Sequence, residues 1–143
     1  MTFFFFAIIA GVIGGGLGIA TIRAQTANCR RRTQLDFTSG KEIWSDVERW
    51  AKEQGYTLKN QNGAERTYQK GAGFWAASSC LSLRQDGDKV HVEAWSLANM
   101  LVFKAEIATD EAILAAKPIR KKNAERVNKL LAILGSPVTI TVG

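Results

Sequence analysis

Charge is missing from the opening of this chain. Thr2 to Ile22 holds no Asp, Glu, Lys or Arg, and no acidic residue occurs before Asp36. A cleavable secretory leader needs a positive region ahead of its apolar run, and here only Thr2 separates Met1 from that run. The stretch that follows, Ile22-Arg23-Ala24-Gln25, sets an Arg where cleavage favours small or apolar residues, so the run reads as uncleaved. Thr26-Ala27-Asn28 ahead of Cys29 is too polar for a lipobox, which argues against a lipoprotein. Cysteine is scarce: Cys29 and Cys80 make no disulfide framework, and no Cys-x-x-Cys or Cys/His spacing offers a metal site. In a cytoplasmic domain both would be reduced thiols. There is one histidine, His91, in a segment that reads as mid-strand, and no Ser or Cys has an identifiable base partner. The expectation is a protein that is not an enzyme, with no cofactor and no metal.

As a helix, 21 uncharged residues would span roughly 30 Å, the thickness of a bilayer's hydrocarbon core. Arg23, Arg30, Arg31 and Arg32 follow this run and no basic side chain precedes it. The positive-inside rule then predicts a single-pass anchor in the inner (plasma) membrane with the C-terminal domain cytoplasmic. The same four arginines are candidates for contact with anionic lipid headgroups. Gly11 and Gly15, and Gly14 and Gly18, are each four apart. Each pair shares a helical face that a partner helix, or a second copy, could approach closely. A permissive lipid-facing span is the plainer reading of the same glycines.

The net charge of +6 is misleading. Four of the 19 basic residues are the arginines just named, which leaves 15 basic against 13 acidic residues from Thr33 onward. A second basic cluster runs through Lys117, Arg120, Lys121, Lys122, Arg126 and Lys129, opposed by Glu125. It reads first as a solvated helix face, then as a lipid contact, and last as a nucleic-acid contact, because RRM, KH and helix-turn-helix signatures are absent.

Periodicity orders the rest. Leu35 and Phe37 alternate as in a short strand. Ser39-Gly40-Lys41-Glu42 fits a capping box ahead of a helix carrying Ile43, Val47, Trp50 and Ala51 at helical spacing, with Gly55 to stop it. Tyr56 and Leu58 precede Asn60-Gln61-Asn62-Gly63, which reads as a hairpin turn, and Arg66-Thr67-Tyr68 return. Strands are predicted over Ala76–Arg84, Lys89–Leu97 and Leu101–Ile107, with Asp86-Gly87-Asp88 as a turn. In the second of these, Val90, Val92, Ala94 and Ser96 share one face, and His91, Glu93, Trp95 and Leu97 the other. Asp110 could cap a short helix over Glu111–Ala116 that Pro118 interrupts. Ala124, Val127, Leu130, Leu131 and Leu134 mark a helix stopped by Gly135, and Val138, Ile140 and Val142 alternate in a possible last strand. The predicted class is α+β: an N-terminal transmembrane helix, then a small antiparallel sheet of about five strands packed with two helices. The boundaries are residues 1–23 for the anchor, 24–33 for a basic linker and 34–143 for the domain.

Lys70-Gly71-Ala72-Gly73-Phe74-Trp75 combines flexible glycines, a cation and two aromatics. Lys70, Phe74 and Trp75 are therefore candidates for contact with a partner or ligand, against the plainer reading of an irregular hairpin loop. The chain resembles a family of small bacterial proteins, some membrane-associated, through Tyr68-Gln69-Lys70-Gly71-Ala72-Gly73-Phe74, Val92-Glu93-Ala94-Trp95 and Val127-Asn128-Lys129-Leu130-Leu131. That resemblance implies a bacterial source and a compact domain and carries no activity. Two functions remain open. The first is an accessory or adaptor subunit of a membrane protein complex, packing through its glycine-rich helix. The second is a tethered module for a lipid or other apolar ligand, lined by Trp50, Trp75, Trp95 and Phe103.

Overall fold

The computed structural model describes residues 32–71, 77–100, 103–110 and 117–142. The first strand, β1 (Thr33–Thr38), leads through a short loop to α1 (Trp44–Gln54). Five strands follow: β2 (Thr57–Asn62), β3 (Glu65–Lys70), β4 (Ala77–Asp86), β5 (Lys89–Met100) and β6 (Phe103–Ala108). The helix α2 (Lys117–Ile133) comes last. The sheet is antiparallel throughout, in the order β1-β5-β4-β3-β2, with β6 also paired to β5. The long strand β5 thus has two partners along one edge: β1 pairs with its first half, Lys89 to Ala94, and β6 with its second, Trp95 to Met100.

Tight turns set this order. Gly63 and Gly87 take positive φ, 59° and 62°, in the two-residue loops between Asn62 and Glu65 and between Asp86 and Lys89, where a Cβ would be strained. The hairpin predicted at Asn60–Gly63 therefore turns two residues later, and Asn60, Gln61 and Asn62 are strand residues paired to β3. Pairing overrides their low strand propensity. This edge strand is exposed along its length, and a register shift between Leu58 and Asn60 breaks the edge that a foreign strand would otherwise extend.

One sheet face is apolar. Phe37, Tyr68, Leu81, Leu83, Val90, Val92 and Ala94 lie there, buried against Ile43, Val47, Trp50 and Ala51 around α1 and Ala124, Val127, Leu130 and Leu131 of α2. Trp50 stacks on Tyr56, ring centroids 4.6 Å apart, and its indole N–H donates to the Arg126 carbonyl at 2.9 Å. A buried polar centre joins the elements: the Tyr56 hydroxyl donates to Asn123 Oδ1 at 2.6 Å. The Asn123 amide donates in turn to the Trp95 carbonyl and to Thr109 Oγ1, each at 3.3 Å.

Several expectations are corrected. Among the described residues no helix is long and apolar enough to cross a membrane, which overturns the fold class with a transmembrane helix. The predicted anchor, residues 1–23 with Gly11, Gly14, Gly15 and Gly18, lies outside the described residues, as does the predicted helix Glu111–Ala116. The expected small antiparallel sheet packed with two helices is present, with six strands among the described residues. Val138 to Val142 form no strand; instead Asn128 holds Ile140 by a paired amide contact, its Nδ2 donating to the Ile140 carbonyl at 2.8 Å and its Oδ1 accepting the Ile140 N–H at 2.7 Å. Pro118 lies in the first turn of α2, where its missing N–H costs no hydrogen bond. The capping box does not form, because α1 starts at Trp44, too far from Ser39. The N–H of Ser39 donates to the Asp88 carbonyl, and Glu42 instead accepts the Trp44 N–H at 2.8 Å.

Candidate functional site: the sheet face around Arg32

Alternation along β5 sends His91, Glu93 and Trp95 to the face opposite the helices. Antiparallel register sets Asp36 and Gln34 of β1 beside His91 and Glu93, and Arg84, Ser82 and Cys80 of β4 on their other side. Glu106 and Ala108 of β6 continue the face past Trp95. The start of β1 and the end of β6 meet here: Thr33 Oγ1 donates to Asp110 Oδ1 at 2.6 Å and accepts the Asp110 N–H at 3.2 Å.

Arg32 occupies this junction. Its guanidinium lies 4.0 Å from the centroid of the Trp95 ring. One terminal nitrogen donates to Glu93 at 2.9 Å, and Nε with the other terminal nitrogen forms a fork on the two Glu106 oxygens, both at 3.2 Å. Planar, delocalised arginine suits this combination of stacking and bidentate pairing; a lysine would not reproduce it. Glu93 Oε1 also accepts from the Gln34 amide at 3.2 Å and faces His91 Nε2 at 3.4 Å, while His91 Nδ1 sits 2.6 Å from Asp36 Oδ1. Both imidazole nitrogens thus face carboxylates, an arrangement satisfied by the doubly protonated ring.

The electrostatics follow from these contacts. Burial by itself lowers the His91 pKa, but the Asp36 and Glu93 carboxylates outweigh it and the net shift is upward. Burial likewise raises Glu93, and the hydrogen bonds from Arg32 and His91 overcome it and hold the carboxyl below its usual range. The bond to Glu106 leads the factors that raise Arg32. Cys80, 4 % exposed beside Trp95, has its thiol pushed up to about 11 by burial, with Glu106 adding to the effect. Such a thiol is a small buried apolar group and a poor nucleophile at neutral pH.

The candidates read from sequence are dispersed. Arg32 is engaged with Glu93, Glu106 and Trp95 at the edge of the folded domain, which extends that domain back into the predicted linker. Arg23, Arg30, Arg31, Phe74 and Trp75 lie outside the described residues. The Lys70 ammonium donates to the Gln54 carbonyl at the end of α1, so it serves the helix terminus. Trp50 is 1 % exposed within the core. A shallow depression of about 490 Å3 is lined by Ser39, Gly40, Lys41, Glu42, Gln85, Gly87 and Asp88. There Gln85 bridges the loop before α1 by donating to the Lys41 carbonyl at 2.9 Å.

Sequence reasoning missed the Arg32–Glu93–Glu106 cluster because Arg32 lies 61 and 74 residues from the two carboxylates, and nothing local sets Arg32 apart from Arg30 and Arg31. The one available signal was Glu93 on the polar side of an alternating strand. No family model, curated protein or solved structure matches the chain. Of the motif residues behind the family resemblance, Tyr68, Val92, Ala94, Val127, Leu130 and Leu131 fill the core, and Asn128 holds the C-terminal segment.

Proposed function

We propose that this chain is a non-enzymatic accessory protein of the inner membrane surface, an adaptor whose α+β domain offers the sheet face that carries Arg32 to a membrane protein partner. The observation that carries the reading is the Arg32 centre. Arginine is a side chain that dominates binding energy at protein interfaces, and here Arg32, 35 % exposed, is held over the buried Trp95 ring by Glu93 and Glu106. Mutual neutralisation of these charges lowers the cost of covering them, and a surface already ordered loses little entropy on binding. The uncharged run Thr2–Ile22 and the arginines after it support the membrane location.

Fractionation and purification of the full chain in mild detergent test both parts. The expected result is recovery with membranes, in a stoichiometric complex that Gln34→Arg or Asp36→Arg disrupts without unfolding the domain. Recovery in the soluble fraction, or a lone species unaffected by these substitutions, would refute the reading.

A further inference from the structure

The exposed side of α2 carries Lys117, Lys121, Lys122 and Lys129, with Glu125 among them. At 100° per residue these four lysines spread over about 140° of the helix, opposite the buried arc of Asn123, Ala124, Val127, Leu130 and Leu131. None of the four makes an ion pair among the described residues. The same outward arc ends on Ile133, 40 % exposed, and the turn after the helix leaves Val138 38 % exposed. Large apolar side chains are otherwise kept inside, with Leu58 on the edge strand the other exception among the described residues.

We propose that this face of α2 is a docking surface for an anionic lipid bilayer, with the lysines over the headgroup phosphates and Ile133 entering the interface. Charge complementarity names an anionic partner. Lysine stems that keep their ammonium groups in water while the chain lies low, next to exposed aliphatic side chains, fit a bilayer boundary. A nucleic-acid backbone would make no use of Ile133 and Val138. The inference rests on the membrane location proposed above and adds to it the orientation of the domain: α2 faces the lipid, and Arg32 lies on the opposite side of the sheet.

Spin-label accessibility in the full chain tests it, because the readout is local and does not depend on what else holds the protein to vesicles. In a Cys29→Ser background, the Ile133→Cys variant carries the nitroxide, while buried Cys80 stays unlabelled. On vesicles of phosphatidylcholine with phosphatidylglycerol, the label becomes accessible to oxygen and shielded from a nickel chelate. High salt, or phosphatidylcholine alone, reverses this. Each lysine is worth about fivefold in the ratio of docked to undocked domain, so Lys121→Ala, Lys122→Ala and Lys129→Ala together lower it about a hundredfold. Removing the same number of charges at Lys59, Arg84 and Lys89 changes it far less. A label that stays aqueous on the anionic vesicles, or a response equal in both triple variants, overturns the proposal. So does a lysine-dependent affinity for duplex DNA with no lipid response. Loss of membrane recovery in fractionation would instead strike the location itself, so the two failures are distinguishable.

Discussion

Asn123 is the side chain on which the described elements converge, and its removal has a worked consequence. Asn123→Ala deprives the buried Tyr56 hydroxyl of its acceptor and the Trp95 carbonyl and Thr109 hydroxyl of a donor. A buried orphan group costs about 1–3 kcal/mol and a lost bond about 1 kcal/mol, so the substitution should cost about 3 kcal/mol. Tyr56→Phe, which orphans only Asn123 Oδ1, should cost about 1.5 kcal/mol. In the double variant the Tyr56 hydroxyl is already gone, so the cost should stay near 3 kcal/mol rather than reach the sum, leaving a coupling of about 1.5 kcal/mol. Urea titration of the full chain in mild detergent, followed by tryptophan fluorescence, measures all three differences. Thermal melts should fall by roughly 10–20 °C for Asn123→Ala. Strictly additive costs would mean that the Tyr56–Asn123 bond does not hold in solution, and a cost for Asn123→Ala below about 1 kcal/mol would refute the buried network altogether.

Three further outcomes are expected. The His91 pKa is raised on folding, so its contribution is complete below the ordinary imidazole value of 6.5 and is lost as pH rises through the folded-state value. Comparing urea midpoints of the wild type and His91→Gln across that window should show a gap that closes toward alkaline pH; a constant gap would contradict the pairing with Asp36 and Glu93. Gly55 holds φ at +77°, and a Cβ there would come within 3.2 Å of Lys70 Nζ. Gly55→Ala should therefore cost about 1–2 kcal/mol in the same titration, whereas Gly40→Ala, with open space around it, should cost far less. Asn128→Ala should free the C-terminal segment, seen as lost hydrogen-exchange protection at the Ile140 amide while the amides of β4 and β5 keep theirs.

Sequence by itself determined the features that depend on neighbours in the chain. The two faces of β5 follow from period-two alternation, the inner stripe of α1 from helical spacing of Ile43, Val47, Trp50 and Ala51, and the ends of both helices from Gly55 and Gly135, which take the left-handed conformation. Only tertiary structure decided which strands share an edge. Nothing local says that β1 and β6 divide one side of β5, and that division is what carries Arg32 onto Trp95 between Glu93 and Glu106. The same holds where pairing overrode local preference. Asn60 to Asn62 extend as strand because β3 offers their backbone partners, and Val138 to Val142 do not, because the Asn128 amide takes the Ile140 backbone groups that a neighbouring strand would have used. Alternation and capping act over a few residues, whereas the free energy of closing contacts 60 to 75 residues apart is set by the whole packed sheet, and no window of the chain contains it.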